Sequence, residues 1–174
     1  MIDKFGKALI TMFGIGYFKY APGTLASFVT CIFYYIFFMN DLLIGSIYYY
    51  LILFVFLITI YSIISIDSLT SQFKKKDAKE IVIDEFIGQS IPLLFLSFVP
   101  LGFFVSFPLW LMQHYHEIMI FLCFLLFRFF DILKPFPINI VDQKMKNGLG
   151  VILDDILAGI YTTISLIIII KLIV

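Results

Sequence analysis

Apolar residues fall into five long runs separated by short polar segments. The runs cover residues 25–39, 42–66, 81–107, 118–130 and 148–174. The second run is the most uniformly apolar. The first would be only about 22 Å long as a helix, at 1.5 Å per residue, which is short for a full crossing of a bilayer. The pattern predicts an all-α, polytopic membrane bundle of four or five transmembrane helices.

The segments between these runs predict how the bundle is completed. Residues 2–20 are rich in glycine and carry three lysines, so they predict an interfacial amino-terminal helix and a loop rather than a span. A polar loop is predicted at residues 67–80, and a polar turn at residues 108–117. Pro135 and Pro137 should end the fourth helix, and residues 141–147 should form a short amphipathic segment. With no repeat or linker, residues 1–174 are predicted to form one domain.

Composition supports a membrane protein. The chain is 62% hydrophobic with a mean hydropathy of +1.07, more apolar surface than a soluble domain of 174 residues can bury. Twelve basic and twelve acidic residues cancel, so no positive field favours nucleic acid. Cys31 and Cys123 lie inside apolar runs, where packing is the expected role. We infer no obligate protein partner.

The basic residues predict an orientation. If all five runs cross, every lysine and arginine except Lys171 lies on the same side as the amino terminus. The positive-inside rule then places that side in the cytoplasm, with the 113–117 turn outside. A site on that side would therefore face the cytoplasm.

Six carboxylates fall where predicted helices or loops meet that cytoplasmic side. Ionisable groups in membrane helices are costly and usually mark function. Crowded like charges need either bound protons or a divalent cation, and oxygen-only ligands favour Mg²⁺ or Mn²⁺. The two histidines, His114 and His116, are predicted on the opposite side and are not expected to be ligands. The six acids are Asp84, Glu85, Asp131, Asp142, Asp154 and Asp155.

Each acid also has a purely structural interpretation. Asp154 and Asp155 could complement the dipole of a helix that starts near Gly148. Asp131 could pair with Arg128, three residues earlier on the same helical face. The convergence of three helices on one interface favours a site over these separate roles.

Cationic and hydroxyl groups near the acids predict an anion-binding site. Arg128 and Lys134 flank Asp131, and a guanidinium matches the oxygens of a phosphate. Thr24 and Ser27 follow Pro22, a residue suited to the first turn of a helix, where backbone N–H groups attract anions. Capping alone would also explain the two hydroxyls.

Four segments resemble, in order, the signatures of the bacterial phosphatidylglycerophosphatase A family. They are 21–27 (APGTLAS), 79–88 (KEIVIDEFIG), 127–138 (FRFFDILKPFPI), and Asp142 with 148–159 (GLGVILDDILAG). The resemblance implies a Mg²⁺-dependent enzyme that hydrolyses the terminal phosphate of a phospholipid substrate, phosphatidylglycerophosphate, to leave phosphatidylglycerol.

Under this resemblance the site residues take provisional roles. We expect Glu85, Asp131 and Asp155, with Asp84 or Asp154 as a further carboxylate, to hold one or two Mg²⁺ ions, and Asp84 is the preferred fourth ligand. A spare carboxylate would act as general base. The phosphate is expected to be bound by Thr24, Ser27, Arg128 and Lys134.

Two alternatives remain beside this interpretation. A CDP-alcohol phosphatidyltransferase also carries helix-borne aspartates, but its pattern needs Asp-Gly and a later aspartate four positions after another. Here Ile132 follows Asp131, and Ala158 lies four after Asp154. An ion or proton carrier would spread its acids through the membrane depth, whereas these are confined to one interface.

Overall fold

A computed structural model of the chain describes residues 2–39, 46–69, 78–99 and 109–173, and these residues are all helical or connecting. The predicted all-α class is therefore confirmed. The helices are α1 (Ile2–Ile10), a 3-10 helix (Met12–Tyr17), α2 (Pro22–Met39), α3 (Ser46–Leu69), α4 (Ile83–Leu96), α5 (Leu109–Gln113), α6 (Tyr115–Leu133), α7 (Ile138–Lys144) and α8 (Gly148–Ile173).

Two predicted boundaries were wrong. The third run does not form one long helix, because α4 ends at Leu96 and turns follow it as far as residue 99. The turn predicted over 108–117 is mostly helical in its described part, 109–117, since only His114, with φ −105° and ψ 22°, interrupts α5 and α6. Most of the lysine-rich loop, residues 70–77, and the turn at Asn40 and Asp41 lie outside the described residues.

Two helices are long and apolar enough to cross a membrane. They are Ile47–Leu69 of α3, with a mean hydropathy of 2.3, and Gly148–Leu172 of α8, with 1.9. The apolar part of α2, Pro22–Phe38, is shorter, and α4 has 14 residues. The four or five predicted crossings therefore stay a prediction, with two candidate spans found in the described part.

The outer surface of these helices is apolar. Large hydrophobic side chains are exposed along α3, where Tyr49 is 71% and Phe56 59% exposed, and along α6, where Phe121 is 61% exposed. Ile160, Ile164 and Ile168 continue this surface on α8. An exposed apolar surface of this extent would be unfavourable in water, and it is typical of helices that face the interior of a bilayer.

The amino-terminal segment packs against the bundle and positions the start of α4. α1 lies against α3, with the rings of Phe5 and Tyr61 5.9 Å apart. The N–H of Val82 donates to the carbonyl of Ile10 at 2.9 Å. Gly16 lies so close to the carbonyl of Glu80 that a Cβ there would be 1.9 Å from its oxygen. These contacts fix the segment 78–82 that leads into α4.

The most extensive contact between described helices joins α4 and α8, and it passes through two glycines. A Cβ at Gly88 would lie 2.5 Å from the carbonyl oxygen of Asp155, and one at Gly159 would lie 2.4 Å from the carbonyl oxygen of Gly88. Glycine allows this approach because it has no side chain to separate the backbones. The first turn of α4 and the second turn of α8 are thereby held side by side.

The start of α8 is fixed by two caps. The N–H of Gly148 donates to Asp67 Oδ1 of α3 at 2.7 Å, and the N–H of Gly150 donates to Asn147 Oδ1 at 2.9 Å. Both bonds satisfy N–H groups that have no partner within the helix. Since they fix where α8 begins, they also fix the depth of its two aspartates.

We predict that Gly88→Ala and Gly159→Ala each lower the free energy of unfolding by about 1–3 kcal/mol, because the added methyl meets rigid backbone. Gly6→Ala is the matched control. Its Cβ would meet only the side chains of Ser65 and Leu69 at 3.3 Å or more, so better helix propensity should leave stability equal or higher. Thermal unfolding in detergent measures all three. Equal losses at the three positions would contradict the close crossing.

Candidate active site

A polar cavity of about 300 Å³ lies at one end of the bundle, where α2, α4 and α8 begin and α6 ends. Its walls carry an unusual concentration of charge within a chain this apolar. The charged and hydroxyl side chains that line it are Thr24, Lys79, Asp84, Glu85, Arg128, Asp131, Lys134, Asp142, Lys146, Asp154 and Asp155. The convergence of all five predicted catalytic carboxylates in one pocket is thus observed in the structure.

Three carboxylates form the centre of this cavity. Asp84, Glu85 and Asp155 each place one oxygen within 4.8 Å of the other two. The first two lie in the first turn of α4, and Asp155 reaches them because Gly88 and Gly159 let α8 come close. Asp84 Oδ1, Glu85 Oε2 and Asp155 Oδ2 are buried and accept no hydrogen bond from the described residues.

This arrangement fits a small divalent cation. Carboxylate oxygens buried without donors are unfavourable unless a proton or a cation compensates them. Oxygens on opposite sides of one Mg²⁺ ion are about 4.2 Å apart, at about 2.1 Å per bond, so small side-chain rotations would suffice. Of the four predicted ligands, the group of three includes Asp84, Glu85 and Asp155 and leaves out Asp131.

Gly23 brings the start of α2 into the same site. A Cβ at this position would lie 1.9 Å from Glu85 Oε1, so only a glycine lets that carboxylate rest against the helix. Pro22 is the first residue of α2, as predicted, and Thr24 lines the cavity. The preceding Ala21 adopts a left-handed φ of 44°, an unfavourable conformation for a residue with a side chain.

Arg128 and Asp131 form the ion pair expected from their spacing on α6. Arg128 Nη1 is 2.6 Å from Asp131 Oδ2 and 4.0 Å from Glu85 Oε1. Arg128 Nε is buried and has no hydrogen-bond acceptor in the part of the chain that the structure describes. The guanidinium therefore bridges the two acids and keeps donor capacity for another anion.

Lys134 joins three elements at the rim of the cavity. It ends α6 in a left-handed conformation, with φ 43° and ψ 61°. Its Nζ donates to Asp142 Oδ1 of α7 and to Asp154 Oδ2 of α8, both at 2.8 Å. Burial alone would lower the pKa of Lys134, but these two bonds outweigh it and hold the pKa above its usual range. The ammonium group is charged at neutral pH.

The adjacent aspartates of α8 therefore point to different partners. Asp155 joins the group of three carboxylates, whereas Asp154 is held by Lys134. Successive helical residues are rotated by 100°, so one spot cannot receive both side chains. Divergence of this kind is expected from the sequence, but which aspartate takes which role is visible only in the structure.

Other candidate residues lie away from the cavity. Ser27 is fully buried one turn along α2 and is not among the residues that line the cavity, unlike Thr24. His116 stacks on Phe38 with ring centroids 5.1 Å apart, towards the other end of the bundle. Cys31 and Cys123 are buried, as expected for packing residues.

Some lining residues received no role from the sequence. Lys79 and Lys146 add positive charge to the rim, and Gly23 supplies the space for Glu85. Asp142, one of the six acids and part of a signature segment, was assigned no role, and in the structure it holds Lys134. Lys79 and Gly23 fall within signature segments, which is the signal that could have identified them.

Comparison with known proteins identifies the family. The model of the phosphatidylglycerophosphatase A family matches residues 8–170. The chain belongs to this family. A family member in Haemophilus influenzae, named phosphatidylglycerophosphatase A, is 63% identical over 41 residues, 24% of this chain and 25% of the relative. One of the same name in Escherichia coli K12 is 33% identical over 89 residues, 48% and 40% of the two chains.

A third relative is similar over most of its length. It is a putative phosphatidylinositol-3-phosphatase of Bacteroides thetaiotaomicron, 31% identical over 158 residues, 88% of this chain and 86% of the relative. The alignments to the two phosphatidylglycerophosphatases thus span less than half of either relative. No solved structure matches the chain.

Membership of the phosphatidylglycerophosphatase A family confirms the family predicted from the four signature segments. The names of the family and of its two phosphatidylglycerophosphatase relatives describe lipid phosphatases, not carriers. The transferase and carrier alternatives are not favoured, because neither the family model nor the three relatives are of those types.

We predict that Lys134→Met lowers the free energy of unfolding by about 1–3 kcal/mol, because it leaves Asp142 and Asp154 without their shared donor. Lys144→Met, at an exposed position on α7, is the control and should change stability little. Chemical unfolding in detergent without added metal measures both. Equal stability of the two variants would contradict the bridging role.

Proposed function

We propose that this chain is a Mg²⁺-dependent phosphatidylglycerophosphate phosphatase. The observation that carries the proposal is the juxtaposition of three clustered carboxylates, each with one buried oxygen that lacks a donor in the described structure, with Arg128 in one cavity, in a member of this family. Carboxylates supply the ligands for a hard cation, and the guanidinium supplies the matching group for a phosphate.

Asp84, Glu85 and Asp155 would hold the ion. When bound, Mg²⁺ supplies charge neutralisation at the phosphoryl oxygens and lowers the pKa of a coordinated water. Asp154 is already engaged by Lys134, so we assign it to positioning that lysine rather than to metal binding. Asp131 was a further predicted ligand, and its contact with Arg128 supports a role beside the phosphate instead.

The phosphate would be bound by the cationic wall of the cavity. Arg128 Nε is a buried donor without an acceptor in the described structure, and it can donate to a phosphoryl oxygen. The first turn of α2 contributes the hydroxyl of Thr24 and the positive end of its helix dipole. Lys134 and Lys79 add positive charge at the rim, where the anionic headgroup enters. Ser27 remains a weaker candidate because it does not line the cavity.

Hydrolysis then requires one proton transfer at each end of the reacting bond. A water oxygen forms a bond to phosphorus as the bond from phosphorus to the glycerol oxygen breaks. Asp131 lines the cavity outside the group of three carboxylates, and we assign it as the base that accepts the proton of the attacking water. The leaving glycerol oxygen takes up a proton from water in the cavity, and Asp131 then returns its proton to solvent, so the products are inorganic phosphate and phosphatidylglycerol.

We assign phosphatidylglycerophosphate as the substrate because the family is named for it. The three relatives carry two different substrate names, phosphatidylglycerophosphate in two and phosphatidylinositol 3-phosphate in one. Both substrates are phosphate monoesters on an anionic phospholipid, and the same donors would recognise either phosphate. The family model favours phosphatidylglycerophosphate.

We place the enzyme in the bacterial cytoplasmic membrane, with several crossings and the cavity at the cytoplasmic face. The apolar outer surface and the two candidate spans support a membrane location. The distribution of basic residues supports the orientation, because 11 of the 12 fall on one side of the predicted topology and four of them, Lys79, Arg128, Lys134 and Lys146, line the cavity.

We predict that Asp155→Asn and Asp84→Asn each lower kcat by at least about 10²-fold, because they remove charge that both the ion and the reaction need. Stability without metal should be equal or higher, since crowded like charges repel. Asp67→Asn is the control. It lies away from the cavity, keeps its oxygen for the cap of Gly148, and should retain activity. Normal turnover by both cavity variants would show that these acids are structural.

We predict that purified protein releases phosphate from phosphatidylglycerophosphate with Mg²⁺ and not with EDTA. Phosphatidylinositol 3-phosphate should react more slowly, and glycerol 3-phosphate slowest, because it lacks the lipid contacts that place the phosphate. Colorimetric phosphate release under identical micelle conditions compares the three. A preference for phosphatidylinositol 3-phosphate would move the assignment towards the Bacteroides relative, and full activity in EDTA would exclude the metal.

A further inference from the structure

A second, apolar groove runs between α2 and α6. It has a volume of about 240 Å³ and is lined almost entirely by carbon. Phe28 and Ile32 form its α2 wall, and Phe121 and Phe124 form its α6 wall. The rings of Phe28 and Phe124 are 6.3 Å apart and join the two walls.

The groove begins one helical turn from residues that line the polar cavity. Thr24 and Arg128 line the cavity, and the first groove residue on each helix lies four positions further along, at Phe28 and Phe124. Residues four apart lie on the same face of a helix, one turn along. Because α2 and α6 run antiparallel, both walls lead away from the cavity in the same direction.

The far end of the groove is closed by a polar contact. The hydroxyl of Tyr35 donates to Glu117 Oε1 at 3.3 Å. Tyr35 is eleven residues along α2 from Thr24, a rise of about 16 Å. That is roughly half of the 30 Å hydrocarbon thickness of a bilayer, which is the depth of one leaflet.

The groove is also open to the surrounding lipid. Phe28 is 52% exposed and Phe121 61% exposed, so a chain could enter sideways from a leaflet. The other large apolar groove, between α1 and α3, is less suited. Neither groove shares a lining residue with the cavity, but this one is bordered by α1, which is bonded through Ile10 to Val82 in the segment that lines the cavity.

We propose that the groove between α2 and α6 seats one acyl chain of the phospholipid whose phosphate lies in the polar cavity. This inference rests on the proposed function. It adds a binding site for the acyl chain, the part of the substrate that the polar cavity does not contact. Acyl contacts along the groove place the phosphate beside Arg128, so that binding energy from the lipid tail contributes to catalysis.

The test compares two substrates with the same headgroup, dioleoyl and dihexanoyl phosphatidylglycerophosphate, in mixed micelles. The measured quantity is the ratio of kcat/KM for the long-chain to the short-chain substrate. Ile32→Trp fills the groove, and we expect this ratio to fall by about tenfold, since a mismatch of a few methylenes is worth at least that. Leu57→Trp, which fills the groove against α1, is the matched control and should leave the ratio unchanged.

A second pair of variants keeps the test independent of whether Ile32→Trp folds. Phe121→Ala removes a wall of the groove and should also lower the ratio. Phe56→Ala removes an equally exposed ring from α3, outside either groove, and should not. An unchanged ratio in Phe121→Ala, or a fall confined to Leu57→Trp, overturns the inference.

The same measurements separate this inference from the proposed function. Wild-type hydrolysis of the dihexanoyl substrate tests the phosphatase activity without relying on a long chain in the groove. If the wild-type protein hydrolyses neither substrate, the proposed function is wrong and the acyl site falls with it. If both are hydrolysed and every variant keeps the wild-type ratio, only the acyl site is wrong.

Discussion

The approach of α4 to α8 is the constraint on which the rest of the site depends. Gly88 and Gly159 bring the backbones into contact, and one turn away Asp84 and Glu85 meet Asp155 with oxygens within 4.8 Å. A side chain at either glycine would meet backbone of the other helix and force the two helices apart. Stability of the bundle and chemistry of the site are therefore set by the same contact.

Some of the acids in the cavity are paired with cations and others are not. Arg128 accompanies Asp131 on α6, and Lys134 holds Asp142 and Asp154 at the rim. The remaining acids keep buried oxygens without a donor in the described structure. Among the described residues, six carboxylates and four basic side chains line the cavity, so when fully ionised they carry an excess of two negative charges, which a divalent cation would neutralise.

The sequence was sufficient for features that depend on local pattern. The helical class, the start of α2 at Pro22 and of α8 at Gly148, and the pairing of Arg128 with Asp131 follow from periodicity, proline geometry and i,i+3 spacing. It could not separate Asp154 from Asp155, because the reach of Lys134 depends on a left-handed residue at the end of α6. Nor could it exclude Ser27, whose burial is set by tertiary packing.

The glycine contact also has a consequence for biosynthesis. Its two halves are separated in the chain by α5, α6 and α7, so ribosomal synthesis delivers Asp84 and Glu85 well before Asp155. A nascent chain that ends before α8 contains only part of the carboxylate cluster and lacks the surface on which α4 packs. Assembly of the cavity is consequently a late event of insertion, and the newly made protein acquires its complete group of clustered carboxylates only when α8 docks.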